Sequence, residues 1–278
     1  MHPIVNHLIQ LQELSLIRAE QKAHKHDERL QPLDAAIQAL TGQLPEDVRV
    51  MMLRLQKKDP IVIVPVSNGV CAACGLRLPT SLAQAVRAGG EVHHCPICTR
   101  ILYYPEFPVR RTASTPRRTE PRKAGIARFS SHSLMVPHLE ATEREAAIRE
   151  LATLMQHEGF VDNAERLVEE ALRREAIVST AVDHGLAFPH VRSVEGGGLT
   201  LALGVSRKGI KFGSPKGKQT KLIFFLVIPT AASAFYLKLL SGLAQTFMEE
   251  EMREKLLVED TPEKLWKALV KATRATIA

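Results

Sequence analysis

At 278 residues, with 45% hydrophobic and 24% charged side chains, the chain has the composition of a soluble globular protein and is too long for one minimal core, so two or three domains are expected. No stretch approaches the ~20 uninterrupted apolar residues of a membrane span, and MHPIVNHLIQLQELSLIRAE lacks the basic start and apolar block of a signal peptide, which argues against membrane insertion and for the cytoplasm. The net charge of +7 is concentrated in residues 109–128, where seven Arg and Lys face Glu120 alone; the basic balance therefore describes one segment rich in Pro, Ser, Thr and Arg, not a basic surface throughout.

Residues 3–40 carry Leu8, Leu11, Leu14, Leu16, Ile17, Leu30, Leu33, Ile37 and Leu40, recurring roughly at three and four among Gln, Glu, Lys and Arg, the pattern of amphipathic helix. Pro32 should kink or divide this run, and Thr41-Gly42 should end it. Pro45-Glu46-Asp47 is a good start for a short helix to about Lys57. The plain reading of these residues is a helical hairpin packed on itself or on a second copy. IVIVPV, residues 61–66, reads as a short strand between turn signals.

Cys71-Ala-Ala-Cys74 and Cys95-Pro-Ile-Cys98 hold all four cysteines, in two CxxC pairs separated by 20 residues. Two thiols three apart in a tight turn can face one ion, and Gly75 stands where the backbone must turn closely. Two such knuckles make a closed tetrahedral four-sulfur site, which suits structural Zn²⁺ and leaves no open position for chemistry. A redox pair or an iron centre is the weaker alternative. His93 and His94 lie beside the second pair and are read as neighbours, not ligands.

From about Ser133, helix patterns at 140–158 and 162–174 are followed by the apolar runs Leu199–Val205 and Lys221–Ile228, then by helix patterns at 233–250 and from Pro262 to about Thr273. This alternation argues for an α/β domain. Within it, REAIVSTAVDHGLAFPH ends in a histidine whose approach Pro189 stiffens, after a turn at Asp183-His184-Gly185. Arg174 and Arg192 could offer guanidinium forks to an anion and Thr180 a hydroxyl. On the residues alone, a structural histidine in a turn is the plainer reading of His190.

Two resemblances bear on these readings. PVSNGVCAACGLRLPTSL and CPICTRILYYP, within about residues 60–106, resemble the ribbon that ends helical-hairpin proteins of the bacterial four-cysteine zinc-ribbon family. That likeness implies an adaptor for a regulatory target protein or nucleic acid. RE…ST…GLAFPH, with KGIKF at 208–212, LIFFLVIP at 222–229 and YLKLLSGLAQTFMEEEMREKLL after it, is similar to enzyme IIA domains of the fructose, mannitol and nitrogen type of the bacterial phosphotransferase system. This second resemblance, over about 134–273, implies a mixed β-sheet flanked by helices. It also implies a phosphoryl group accepted on His190 from an HPr-type phosphocarrier protein, with Arg174 steadying the phosphoryl oxygens and Arg192 and Thr180 as lesser candidates. Tyr236 stands where much of that family has a second histidine, which puts onward transfer to a sugar in question.

The expected architecture is thus multidomain: a short α-helical hairpin (1–58), a four-cysteine zinc ribbon (59–108), a basic flexible linker (109–132) and an enzyme IIA-like α/β domain (133–278). The expected activity is that of a regulatory phosphocarrier, and the alternative is a non-catalytic zinc-ribbon adaptor or nucleic-acid-binding regulator with a degenerate IIA domain.

Overall fold

The computed structural model describes residues 3–23, 30–67, 69–104, 124–194, 199–214, 217–229 and 233–277. They divide into two compact units. The first comprises the elements before residue 105 together with the start of α7, through Leu237; the second runs from residue 124 to Pro229 and resumes at Lys238.

The first unit opens with α1 (Pro3–Ala23), α2 (Leu30–Gly42) and α3 (Glu46–Gln56). Pro32 lies in the first described turn of α2. Pro45 caps α3 in extended conformation, and Glu46 and Asp47 place negative charge at the positive end of the helix dipole. Strands β1 (Ile63–Ser67) and β2 (Val70–Cys71), helix α4 (Thr80–Ala88), and strands β3 (His93–His94) and β4 (Ile101–Tyr103) complete it. The sheet order is β2-β1-β4-β3, with β1 and β4 parallel and each outer strand antiparallel to its neighbour. Helix α4 has no counterpart in the reading of the sequence, although Pro79 at its start and Gly89 at its end are ordinary helix boundaries. Gly89 adopts φ 68 and donates its N–H to the Ala85 carbonyl.

The hairpin and ribbon, expected as separate domains at 1–58 and 59–108, share one core. Val5, Leu8 and Leu11 of α1 pack with Val48 and Met52 of α3 and with Val62, Ile63 and Ile101 of the ribbon. Gln12 joins them by polar contacts: its side-chain oxygen accepts from the N–H groups of Val62 (2.7 Å) and Ile63 (2.8 Å), and its amide nitrogen donates to the Ile63 carbonyl (3.0 Å). A strand otherwise left with open backbone groups is therefore closed by one helical side chain.

The second unit contains β5 (Met135–Val136), α5 (Arg144–His157), α6 (Ala164–Ile177), β6 (Ala181–Val182), β7 (Leu186–Ala187), β8 (His190–Val194), β9 (Thr200–Ile210), β10 (Thr220–Pro229), α7 (Ser233–Met248), α8 (Glu250–Leu257) and α9 (Pro262–Thr273). The sheet is mixed: β9 and β10 are antiparallel, whereas β5 runs parallel to β9, and β7 and β8 run parallel to β10. The α/β class with a mixed sheet and flanking helices is as expected. The buried centre is aromatic, with Phe224 stacked on Phe188 at 5.3 Å and on Phe247 at 5.1 Å. Asn163 and Thr261 cap α6 and α9 by accepting the N–H of the residue three further on.

Of the expected linker, 109–132, residues 109–123 lie outside the described residues. Residues 124–132 differ from that expectation. They form a 3-10 turn at Gly125–Arg128 with Ile126 buried, and Ser130 donates to the Leu201 carbonyl at 2.7 Å while Phe129 accepts the Leu201 N–H at 2.8 Å. The physical reason is visible in the sequence: Ile126 and Phe129 break the polar run and have apolar area to bury.

Candidate functional site

Strands β7 and β8 are two halves of one line. Leu186 pairs with Leu222, Ala187 with Ile223, and His190 with Leu226, so the register along β10 is unbroken across Phe188-Pro189. Pro189 cannot donate to the ladder, but its carbonyl still accepts the Leu226 N–H at 2.9 Å. The interruption places His190 at the first position of β8, beside α6. Before it, β6 and β7 form a tight hairpin through Asp183-His184-Gly185. Gly185 has φ +75 and a Cβ there would stand 3.2 Å from the Gln219 carbonyl oxygen, so only glycine suits the turn. His184 is the exposed turn residue, as expected, at φ 66.

His190 is 2% exposed and Arg174 4%. The ring nitrogen Nδ1 lies 2.9 Å from the Phe188 carbonyl oxygen, and Arg174 donates its Nε–H to His190 Nε2 at 3.3 Å. These two contacts agree with one tautomer. A carbonyl requires a donor, so Nδ1 carries the proton; a guanidinium can only donate, so Nε2 presents its lone pair. Arg174 is itself held, with Nη1 donating to the Val178 carbonyl at 2.7 Å. The arrangement offers a nucleophilic nitrogen with a fixed cation against it.

The other sequence candidates are placed differently. Arg192 is two residues along β8 from His190 and therefore shares its face of the strand. Thr180 is buried, but its hydroxyl donates to the Glu175 carboxylate, which also accepts the Thr180 N–H at 3.2 and 3.1 Å. Tyr236 is fully buried and belongs with the first unit, where its hydroxyl donates to Glu20 Oε1 at 3.1 Å. Glu175 was not singled out as a site residue. A signal was available: an acidic residue in the last turn of a helix opposes the dipole and needs a nearby donor to be kept there.

Residues 129–272, just over half of the chain, match the family described as phosphoenolpyruvate-dependent sugar phosphotransferase system, EIIA 2. The chain belongs to that family. Among relatives of the EIIA domain, the fructose-specific EIIA component of Haloferax volcanii is 34% identical over 114 residues, covering 41% of this chain and 74% of the relative. The nitrogen regulatory protein of Bradyrhizobium diazoefficiens is 29% identical over 122 residues, 44% of this chain and 79% of the relative. The fructose-specific EIIABC component of Bacillus subtilis is 29% identical over 129 residues, 46% of this chain but only 20% of that longer protein.

Residues 70–102 match the C4-type zinc ribbon domain, and the cysteines bear out the clustering expected of them. The sulfurs of Cys71, Cys74, Cys95 and Cys98 lie within 4.8 Å of one another. Cys71–Cys98 is 3.7 Å and Cys74–Cys95 is 3.6 Å, close to the ~3.8 Å edge of a tetrahedron with metal–sulfur bonds of about 2.3 Å. The donor set and its spacing therefore fit a tetrahedral thiolate-bound cation. The two knuckles repeat one backbone device. Gly75 donates its N–H to the Cys71 carbonyl and Thr99 to the Cys95 carbonyl, both at 2.9 Å, and both residues have positive φ (73 and 60). Burial pushes the Cys71 thiol up to about 12. Burial acts on Cys95 in the same sense, but the N–H groups of Cys98 and Ile97 and the neighbouring thiols outweigh it and bring Cys95 down to about 7. Four thiols this close favour a cation that removes their protons. Among the described residues no helix is long and apolar enough to cross a membrane.

Proposed function

We propose that this protein is a cytoplasmic regulatory phosphocarrier that accepts a phosphoryl group on His190 from an HPr-type phosphocarrier protein. The single observation that carries the reading is the opposed pair of contacts on one ring: Nδ1–H on the Phe188 carbonyl and Arg174 on Nε2. In this reading the Nε2 lone pair attacks phosphorus, the P–N bond to the donor histidine breaks, and its electron pair stays on the donor imidazole. The Nδ1 proton remains in place, and the Phe188 carbonyl offsets the positive charge that develops on the ring. Arg174 moves from the lone pair to the phosphoryl oxygens, where positioning and electrostatics supply most of phosphoryl-transfer catalysis. Arg192 is the second cation proposed for the same group. Thr180 acts by holding the turn, and Tyr236, bonded to Glu20, is given no part in the transfer.

The regulatory role is supported by the nitrogen regulatory protein among the relatives and by the ribbon carried on the same chain. The cysteine cluster would hold Zn²⁺ as a structural ion, closed by four thiolates, and the ribbon would present a surface to a regulatory target protein. The hairpin with its ribbon, and the EIIA domain after the basic segment, are proposed as the working divisions of the chain.

The decisive experiment is incubation with phosphoenolpyruvate, enzyme I and HPr, followed by intact-mass analysis. Wild type should gain one phosphoryl group and His190→Ala none. A wild type left unmodified by several HPr-type donors would defeat the reading.

A further inference from the structure

We propose that Glu175 is a positioning residue for His190: its buried carboxylate sets the tautomer and aim of the imidazole through Thr180 and Phe188. The inference rests on His190 being the acceptor, and it acts on the Nδ1 side of the ring, opposite Arg174.

A carboxylate 3% exposed, in the last turn of α6, is disfavoured twice, by desolvation and by the negative end of the helix dipole. Among the described residues its donors come from Thr180. The Thr180 N–H reaches both oxygens, at 3.2 and 3.1 Å, and the Thr180 hydroxyl donates to Oε1. Among the described residues the other buried carboxylate is Glu20, which lies in the first unit. With its N–H and side chain both committed, Thr180 is held in place, and the bond from the Ala181 N–H to the Ser179 hydroxyl at 3.2 Å holds the following peptide unit. Its carbonyl accepts the Phe188 N–H at 3.2 Å. This bond continues the β6–β7 ladder, in which Ala181 pairs with Ala187 and Val182 with Leu186. The Phe188 carbonyl, now fixed, accepts Nδ1–H of His190 at 2.9 Å.

The neighbouring residue completes the frame. Arg174, immediately before Glu175, is tied to the Val178 carbonyl, so the turn at 178–180 anchors the groups on both sides of the ring. Ser179 steadies the same turn, accepting the Ala181 N–H at 3.2 Å and donating to the Phe212 carbonyl at 3.1 Å. A carboxylate that never touches the phosphoryl group thereby determines which imidazole nitrogen carries the proton and where the other points. The proton assignment matters because a ring free to exchange tautomers would spend part of its time with a proton on the attacking nitrogen.

The test uses the full chain labelled with ¹⁵N-histidine. Ring ¹⁵N shifts report the His190 tautomer, and phosphorylation by HPr reports the rate. Wild type and Thr180→Ser, which keeps the hydroxyl, should hold the proton on Nδ1. Glu175→Gln and Thr180→Val should raise the Nε2–H fraction and slow phosphorylation by about tenfold to a hundredfold, as a misaimed group does. If Glu175→Gln does not fold, Thr180→Val carries the test, since it leaves the carboxylate and the backbone N–H in place. Wild-type ring shifts and rates in a folded Thr180→Val or Glu175→Gln protein would overturn the proposal. Altered ring shifts in a protein that no HPr phosphorylates would uphold the positioning and sink the phosphocarrier reading instead.

Discussion

The cysteine cluster and the histidine site are built by opposite strategies. Each metal knuckle is local: five consecutive residues turn on themselves, and the bond from Gly75 or Thr99 back to the first cysteine of its pair closes the turn without outside help. Only the meeting of the two knuckles needs the sheet between them. The histidine site has no such autonomy. Its ring is bonded by the Phe188 carbonyl, between the two strand halves, and by a guanidinium from a helix, 16 residues earlier. A metal can organise thiols from short turns because its bonds are strong and its geometry is its own. An imidazole imposes no geometry on its neighbours, so the fold must do the orienting.

The sharpest way to break this comparison is to remove the metal. Chelation, or Cys71→Ala, should cost the first unit roughly 10 kcal/mol or more of folding free energy and abolish its far-UV helical signal, the larger part of what structural zinc supplies. The single tryptophan, Trp266, lies in α9 of the second unit, so its fluorescence should stay unchanged in the same sample. A loss of both signals together would show that the histidine site depends on the metal after all. The same experiment has a pH arm. Each ligand must shed its proton on binding, and the Cys71 thiol otherwise titrates at about 12, so bound metal lowers the thiol pKa values. The stabilisation is therefore present at neutral and alkaline pH and lost as pH falls, and a zinc-release titration should show the metal leaving on acidification.

Next in size is Arg174→Lys. A point charge cannot hold the Val178 carbonyl and also replace a planar fork at the ring, so phosphorylation should slow by about 10²-fold with little change in melting temperature. An effect on melting alone would make Arg174 a structural residue. In the first unit, Gln12→Leu leaves two backbone N–H groups and one carbonyl without their partner; denaturant unfolding should show a loss of about 3 kcal/mol. The smallest effect tests the knuckle itself. Thr99 is a β-branched residue at φ 60, in the place that Gly75 fills in the other knuckle. Thr99→Gly should raise the stability of the zinc-loaded protein by about 1 kcal/mol, seen as a higher urea midpoint. No gain would mean that the Thr99 hydroxyl, which donates to the Cys98 carbonyl at 2.7 Å, offsets the backbone strain.

The legible features were those with short-range causes. The helix at Glu46–Gln56 announces itself through Pro45 and two acids, and the last helix through Thr261-Pro262. The strands around Leu199–Val205 and Lys221–Ile228 are apolar enough to be found, although β9 continues to Ile210 through residues too polar to signal burial. Helix α4 was missed because its nine residues lie between metal ligands, where turn chemistry masks a weak pattern. The merging of hairpin and ribbon into one unit was not readable, since a glutamine such as Gln12 looks the same on a solvated face and against a strand.

By itself, the amino-acid sequence determined that four thiols would form two knuckles, that Pro189 would stiffen the approach to His190, and that Arg174 would stand near the end of an amphipathic helix, which runs on to Ile177. These are consequences of spacing, proline geometry and periodicity, which act over a few residues. Only the tertiary structure decided which ring nitrogen carries the proton, that Thr180 serves Glu175, and that the Tyr236 hydroxyl is bonded to Glu20. Hydrogen bonds are directional and each donor serves few partners, so their assignment waits until distant segments have been brought into register.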